Sequence, residues 1–336
     1  NYSSVWPTGK IAEYVKFFAD SPAGYKVDGD QVVGLYLGHN ATNQEWNDLL
    51  VAPLAAQGIG VHIHMMLWGQ TPAEMTTAYP DAASAFNWAV EHSDLTLART
   101  RGYYEAWVSA KPFSHDLSTN FALVPQPGRT TYNIVEHYGA EELATGYEFI
   151  IQEDPSNKNF VTVLNWNGFG EDTHICDASV VVNRANLDVP SYTHRGFSRL
   201  AQFYNEWYKK GVRPSLDNEF AILSYRPHSV DASAPGTDEY TGTFDIYPAE
   251  GLTDAIFVTT VLKDAAKVKV VVAETTTSAE VTSGVQHVRG TYGAGKPTVQ
   301  IIRNSVTVME IEGLVSIEAE PQLTRCFSTY SDYIGG

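Results

Sequence analysis

The chain has 336 residues, 43% of them hydrophobic and 18% charged, which describes a folded globular protein with ample core and excludes a disordered one. A formal net charge of -17 argues against nucleic acid and against anionic membrane as partners, because phosphate contacts need Lys and Arg in excess. No apolar run approaches the length of a membrane span and no signal peptide opens the chain, so the economical expectation is a secreted protein whose signal has been removed.

Taken in order, Ile11, Tyr14, Val15 and Phe18 stand at helical spacing, and Ser21-Pro22 ends that helix. Residues 31–37 form a short β-rich run. Residues 43–57 read as a helix through Trp46, Leu49, Leu50 and Leu54, and 58–67 as a strand. A helix over 72–79 and a strand over 83–88 follow, then a helix over 95–101 and a strand over 103–110. Ile134, Val135 and Tyr138 predict a helix over 129–145. Phe160, Val161, Val163 and Leu164 predict a strand over 160–166, and a long amphipathic helix is expected over 194–210. Alternation of strand and helix is the grammar of a parallel barrel or a doubly wound sheet, so the fold class is α/β.

Near residue 230 the grammar changes. Ser233-Ala234-Pro235-Gly236 is linker-like, and short strands separated by turns follow at 255–262, 268–273, 286–289, 298–303, 306–311 and 315–318. Strict alternation, as in Val268, Val270 and Val272, predicts an antiparallel β-sandwich. Two domains are expected, a barrel portion over 1–230 and a sandwich over 231–336.

The stretch that carries most chemistry is Trp166-Asn167-Gly168-Phe169-Gly170-Glu171-Asp172, directly after the 160–166 strand. Apolar parallel strands that end in Trp, Asn and a carboxylate build sites at the C-terminal rim of α/β barrels. This stretch resembles the Trp-Asn-Asp-Tyr-Gly-Glu signature of glycoside hydrolase family 71, the fungal α-1,3-glucanases or mutanases. The likeness extends to Phe17-Phe18-Ala19-Asp20-Ser21-Pro22-Ala23, to Lys26-Val27-Asp28-Gly29 and to Tyr225-Arg226-Pro227-His228. It implies the C-terminal part of a (β/α)8 barrel of TIM type, about strands four to eight, followed by a β-sandwich. The first barrel strands would then lie on a companion polypeptide, since an open fragment leaves unpaired edges.

In that family the Asp and the Glu three residues later supply the catalytic carboxylates. Here Glu171 retains the Glu, whereas the Asp position is Gly168; Leu37 and the Asn87-Trp88-Ala89-Val90 run also lack the expected acids. Glycoside hydrolysis needs two carboxyl groups with different proton affinities. Two functions stay open on this basis: a secreted, lectin-like glycan-binding protein on a glucanase scaffold, and a working endo-α-1,3-glucanase with Glu171 as general acid. Trp166, Asn167, Asp172, His62, His64, Trp68 and Trp88 are the candidate substrate-binding residues. His62 and His64 alternate on one strand and so point the same way; their spacing suits a metal but no third ligand is evident, and neither metal nor cofactor is assigned. Asn1 and Asn40 open glycosylation sequons. Cys176 and Cys326 either form a disulfide or remain two buried thiols. The expected location is extracellular or in the cell wall, with an α-glucan or another polysaccharide as partner.

Overall fold

The computed structural model describes residues 10–67, 70–87, 111–123, 131–153, 160–176, 192–230, 245–247, 252–319 and 329–336. They fall into two compact units, one drawn from Asn1–Ala89, Ala98–Asp116 and Lys158–Thr162, the other from Val90–Leu97, Leu117–Asn157 and Val163–Gly336.

The first unit opens with helix α1 (Lys10–Ala19), the two-residue strand β1 (Lys26–Val27) and strand β2 (Asp30–Leu35). The helical run after Thr42 is α2 (Asn43–Trp46), a π-helical turn (Asn47–Val51) and α3 (Ala52–Ala55). Thr42 starts it with a reciprocal capping box: its hydroxyl accepts from Glu45 N, and the Glu45 carboxylate accepts from Thr42 N. Strand β3 (Val61–Leu67), helix α4 (Pro72–Ala78) and strand β4 (Ala82–Asn87) follow, and Thr71 with Glu74 repeats the capping box on α4. With β5 (Phe113–Ser118) and β8 (Phe160–Leu164), these strands form a sheet in the order β1-β2-β3-β4-β5-β8. β2, β3, β4 and β5 pair in parallel, and β1 closes the β2 edge as an antiparallel hairpin. Leu35, Trp46, Leu50, Leu54, Ile63, Met65, Met75 and Phe113 share the core beneath it.

The second unit holds strands β6 (Phe121–Leu123), β7 (Thr131–Val135) and β10 (Asp245–Tyr247) in one small sheet, and helices α5 (Glu141–Glu153) and α6 (Arg195–Lys210). Two antiparallel sheets follow. One has the order β14-β11-β9-β17, from β9 (Phe220–Tyr225), β11 (Ala255–Leu262), β14 (Gly284–Thr291) and β17 (Tyr330–Gly335). The other has the order β13-β12-β15-β16, from β12 (Ala266–Val272), β13 (Thr275–Val281), β15 (Thr298–Arg303) and β16 (Val306–Glu312). Ile256, Val258 and Leu223 of the first join Val268, Val270, Val299 and Ile301 of the second in one buried cluster, so the alternating residues do face a common core. The chain is thus mixed α/β, with a curled parallel sheet of half-barrel type and separate antiparallel sheets.

Three sequence expectations need correction. The helix expected over 129–145 is instead strand β7, a Gly139 turn at φ +63° and then helix α5. Ile134 and Val135 are β-branched and buried, and pairing of β7 with β6 and β10 overrides a spacing that also suits a helix. Residues 315–318 make an isolated bridge, Gly295 to Ile317, rather than a strand. Strand β5 was not expected because Ser114, His115, Asp116 and Ser118 break the apolar pattern, yet all six of its residues are buried. The helix expected over 95–101 and the strand over 103–110 lie outside the described residues.

Candidate functional site

The Trp166–His174 segment leaves β8 and folds back on itself through short backbone bonds. Asn165 N donates to Thr173 O (3.0 Å), Thr173 N to Gly168 O (3.1 Å) and Cys176 N to Trp166 O (3.0 Å). The Asn165 side chain accepts from Gly168 N three residues on, a local bond that closes the loop at its base. A Cβ on Gly168 would collide with Thr173 Oγ1 and with the Asn165 amide, so a side chain at this position requires both of those side chains to shift and the Asn165 bond to Gly168 N to be disturbed. Trp166 stands 67% exposed at the loop surface and Asn167 beside it is exposed as well. Glu171 is half-buried, with its carbonyl accepting from Ala122 N of β6 at 2.9 Å.

Asp172 turns the opposite way. Its φ of +55° is a left-handed conformation that Asp tolerates better than most residues, and it sends the carboxylate inward. Asp172 is 4% exposed; Oδ2 accepts from Asn120 Nδ2 (2.6 Å) and from Thr329 N (2.7 Å). Oδ1 faces His194 Nε2 at 3.5 Å. His194, wholly buried at the foot of α6, places Nδ1 2.7 Å from His174 O and Nε2 3.0 Å from Thr329 O. Burial alone pushes the Asp172 carboxyl up to about 8, against the two N–H donors that hold it down. Burial likewise pushes His194 down to about 4 and His174 down to about 2, while the carbonyls facing His194 act in the other direction.

Asp172, His174 and His194 bring a carboxylate and two imidazoles within 4.8 Å of one another, a set that could be read as a metal centre. The ring geometry argues otherwise. A ligated ion sits near the imidazole plane along a nitrogen lone pair, and the His174 and His194 rings are stacked with centroids 4.0 Å apart and planes 9° from parallel. No position lies in both planes, so the two rings cannot share an ion.

His62 and His64, on β3 in the first unit, do point the same way, as their alternation predicts: His62 Nε2 and His64 Nδ1 each lie 2.7 Å from Ser84 Oγ. His64 is sandwiched between Phe86 and Phe160, both with centroids at 4.7 Å, and burial holds it down to about 3. A neutral, ring-stacked imidazole on a serine is a packing arrangement as readily as a sugar contact. Asn40 is exposed at the end of a 3-10 turn. Trp68, Trp88, Asn1 and Cys326 lie outside the described residues, and with Cys326 so does the pairing expected for Cys176.

The described structure thus brings Trp166, Asn167, Glu171 and Asp172 together on one loop, with the first three at or near its surface and Asp172 turned beneath. Sequence reasoning missed His174, His194, Asn120 and Thr329, which hold that loop from below. The one local signal was that His194 stands immediately before the long helix, where a side chain at the helix start often serves a neighbour.

The profile of glycosyl hydrolase family 71 matches residues 1–335. Among curated proteins, the chain is similar to an ascus wall endo-1,3-alpha-glucanase of Schizosaccharomyces pombe, 25% identical over 358 aligned residues that cover 94% of this chain and 76% of that protein. It is also similar to the mutanase Pc12g07500 of Penicillium rubens, 24% identical over 320 residues that cover 93% of this chain and 68% of that protein. Coverage of nearly every residue by the family profile makes the assignment: the chain belongs to glycosyl hydrolase family 71.

Proposed function

We propose that this protein binds α-1,3-glucan on the loop that presents Trp166, Asn167 and Glu171, as a lectin-like member of its family with little or no hydrolytic turnover. The observation that carries this reading is the fate of the loop's other acidic positions. Gly168 stands where the family has Asp and is walled in by Asn165 and Thr173, while the Asp172 carboxylate is buried and occupied by Asn120, Thr329 and His194. Glu171, half-buried, is the one acidic residue of the loop that is not buried, where a two-carboxylate mechanism requires a second carboxyl about 5–10 Å away on the same cleft. An exposed indole beside an exposed amide is a sufficient platform for stacking and hydrogen bonding to a neutral sugar. The wall location named for the fission-yeast relative supports an extracellular or cell-wall setting. The curled parallel sheet is read, within this proposal, as the C-terminal part of a (β/α)8 barrel, and the two antiparallel sheets as its attached sandwich.

A second reading, a working endo-α-1,3-glucanase, is favoured by the retention of Glu171 and by the activities named for both relatives. Incubation with insoluble α-1,3-glucan separates the two. Depletion of protein from solution without release of reducing ends supports the binding reading; steady release overturns it. If turnover is seen, Glu171→Gln abolishes it, and activity that survives removes Glu171 from the mechanism.

A further inference from the structure

Beneath the loop lies a polar group that neither binding nor hydrolysis accounts for. His194 has a carbonyl oxygen at each ring nitrogen, His174 O at 2.7 Å on Nδ1 and Thr329 O at 3.0 Å on Nε2. A carbonyl only accepts, so each nitrogen must carry a proton. In either neutral tautomer one lone pair would face an oxygen lone pair at hydrogen-bond distance, in a site with no exposure to water. The surroundings of Asp172 are the mirror image. Oδ2 takes two N–H donors, and Oδ1 looks at the His194 Nε2–H from 3.5 Å. A carboxylic-acid proton on Oδ1 could go only to His194 Nε2, the nitrogen whose own proton Thr329 O calls for, so the hydrogen-bond geometry favours the charged pair against the burial that pushes Asp172 up and His194 down. Among the described residues, those that pack on the pair are His174 stacked on the ring, Phe197 edge-on to it, Asn120 and the Thr329 backbone; none of these brings an opposing charge.

We propose that Asp172 and His194 form a buried carboxylate–imidazolium pair that acts as the positioning device for Glu171, gripping the Thr329 backbone through the two successive peptide units on either side of its Cα. Asp172 holds the Thr329 N–H and His194 holds the Thr329 carbonyl. The register continues outward: Ser331 N donates to Thr193 O, and His194 bridges Ser331 at the start of β17. Because Asp172 directly follows Glu171, fixing its carboxylate fixes the peptide that carries Glu171. His194 in turn heads α6, so the loop is referenced to a helix and a strand rather than to other loop residues. This is a positioning role, not a catalytic one, and its link to glucan rests on the functional reading above.

The test uses the whole protein labelled with 15N-histidine. Between pH 5 and 7.5 one buried imidazole is expected with both ring nitrogens protonated and both N–H protons slow to exchange, and that signal is absent from His194→Gln. In Asp172→Asn the same ring shifts to a neutral tautomer. Should either variant fail to fold, the wild-type spectrum still decides: no imidazole with two protonated, slowly exchanging nitrogens overturns the pair. The functional arm compares wild type with Asp172→Asn on α-1,3-glucan. Positioning predicts loss of glucan depletion or, where wild type hydrolyses, a fall of about 100-fold in kcat with little change in KM, the size of effect that a small misplacement of a reacting group produces. Full activity in a variant whose His194 has become neutral overturns the positioning role. A wild type that neither binds nor cleaves α-1,3-glucan defeats the functional reading and leaves the spectrum to decide the pair.

Discussion

Replacement of Glu136 by Gln probes a buried ion pair, Arg226 with Glu136. Arg226 Nη2 donates to Glu136 Oε2 at 2.8 Å, and the two side chains are 6% and 3% exposed. The same Glu136 carboxylate accepts from Thr253 N (2.9 Å, Oε2) and from Tyr138 N (2.9 Å, Oε1), and Arg226 also donates to Thr253 O at 2.7 Å. Glutamine keeps the size of the side chain but removes the charge and leaves one oxygen to serve donors on both sides. Removing one partner of a buried pair strands the other charge, which costs about 3–5 kcal/mol. The amide –NH2 facing a backbone N–H strands at least one donor, a penalty of about 1–3 kcal/mol that makes up part of that cost. A loss of about 4 kcal/mol is therefore expected, a sizeable part of the roughly 5–15 kcal/mol by which domains are stable. Equilibrium urea unfolding followed by far-ultraviolet circular dichroism measures it, as a lower midpoint at unchanged slope. The double variant Glu136→Met with Arg226→Met removes both charges and should regain part of the loss, the remainder reflecting the Thr253 and Tyr138 groups left without partners. A single-variant loss below about 1 kcal/mol, or a double variant no more stable than the single one, refutes the claim that this pair is held by mutual neutralisation in a dry site.

His64 makes a pH prediction. Its folded pKa is lowered from 6.5 to about 3 by burial, so between those values the unfolded chain binds a proton that the folded chain refuses. Stability is therefore full above about pH 6.5 and falls as pH drops toward 3, by at most about 1.4 kcal/mol per pH unit. In His64→Gln, which keeps a partner for Ser84 without a titrating group, unfolding curves between pH 6.5 and 4 should show a smaller decline; an identical decline sinks the assignment. Gly168→Asp restores the family carboxylate on paper, but its Cβ meets Thr173 Oγ1 and Asn165. That variant should lose thermal stability and gain no release of reducing ends from α-1,3-glucan, whereas new hydrolysis at unchanged Tm would show that the loop does accommodate the side chain.

Much of the fold was legible along the chain because it follows local periodicity. The amphipathic α6, with Phe197, Leu200, Ala201 and Tyr204 buried, and the alternation of β12, with Val268, Val270 and Val272 inward, are patterns that only one secondary structure satisfies. The Trp166–Asp172 loop was legible for a different reason, a motif resemblance that the family profile then bore out. Where local patterns fit two structures, tertiary pairing decided. Ile134, Val135 and Tyr138 suit a helix face, yet β6 and β10 pair with Thr131–Val135 and make it a strand. β5 carries Ser, His and Asp on a fully buried strand, where polar residues hide the signal that burial normally leaves. What becomes of the Asp172 carboxylate was not legible along the chain. Asn120, His194 and Thr329 are remote from it in sequence and meet it only when loop, helix and terminal strand pack together. Sequence alone determines which groups are present on the loop; the fold determines which of them faces solvent and which is neutralised in the interior, because burial and charge pairing are properties of neighbours in space, not along the chain.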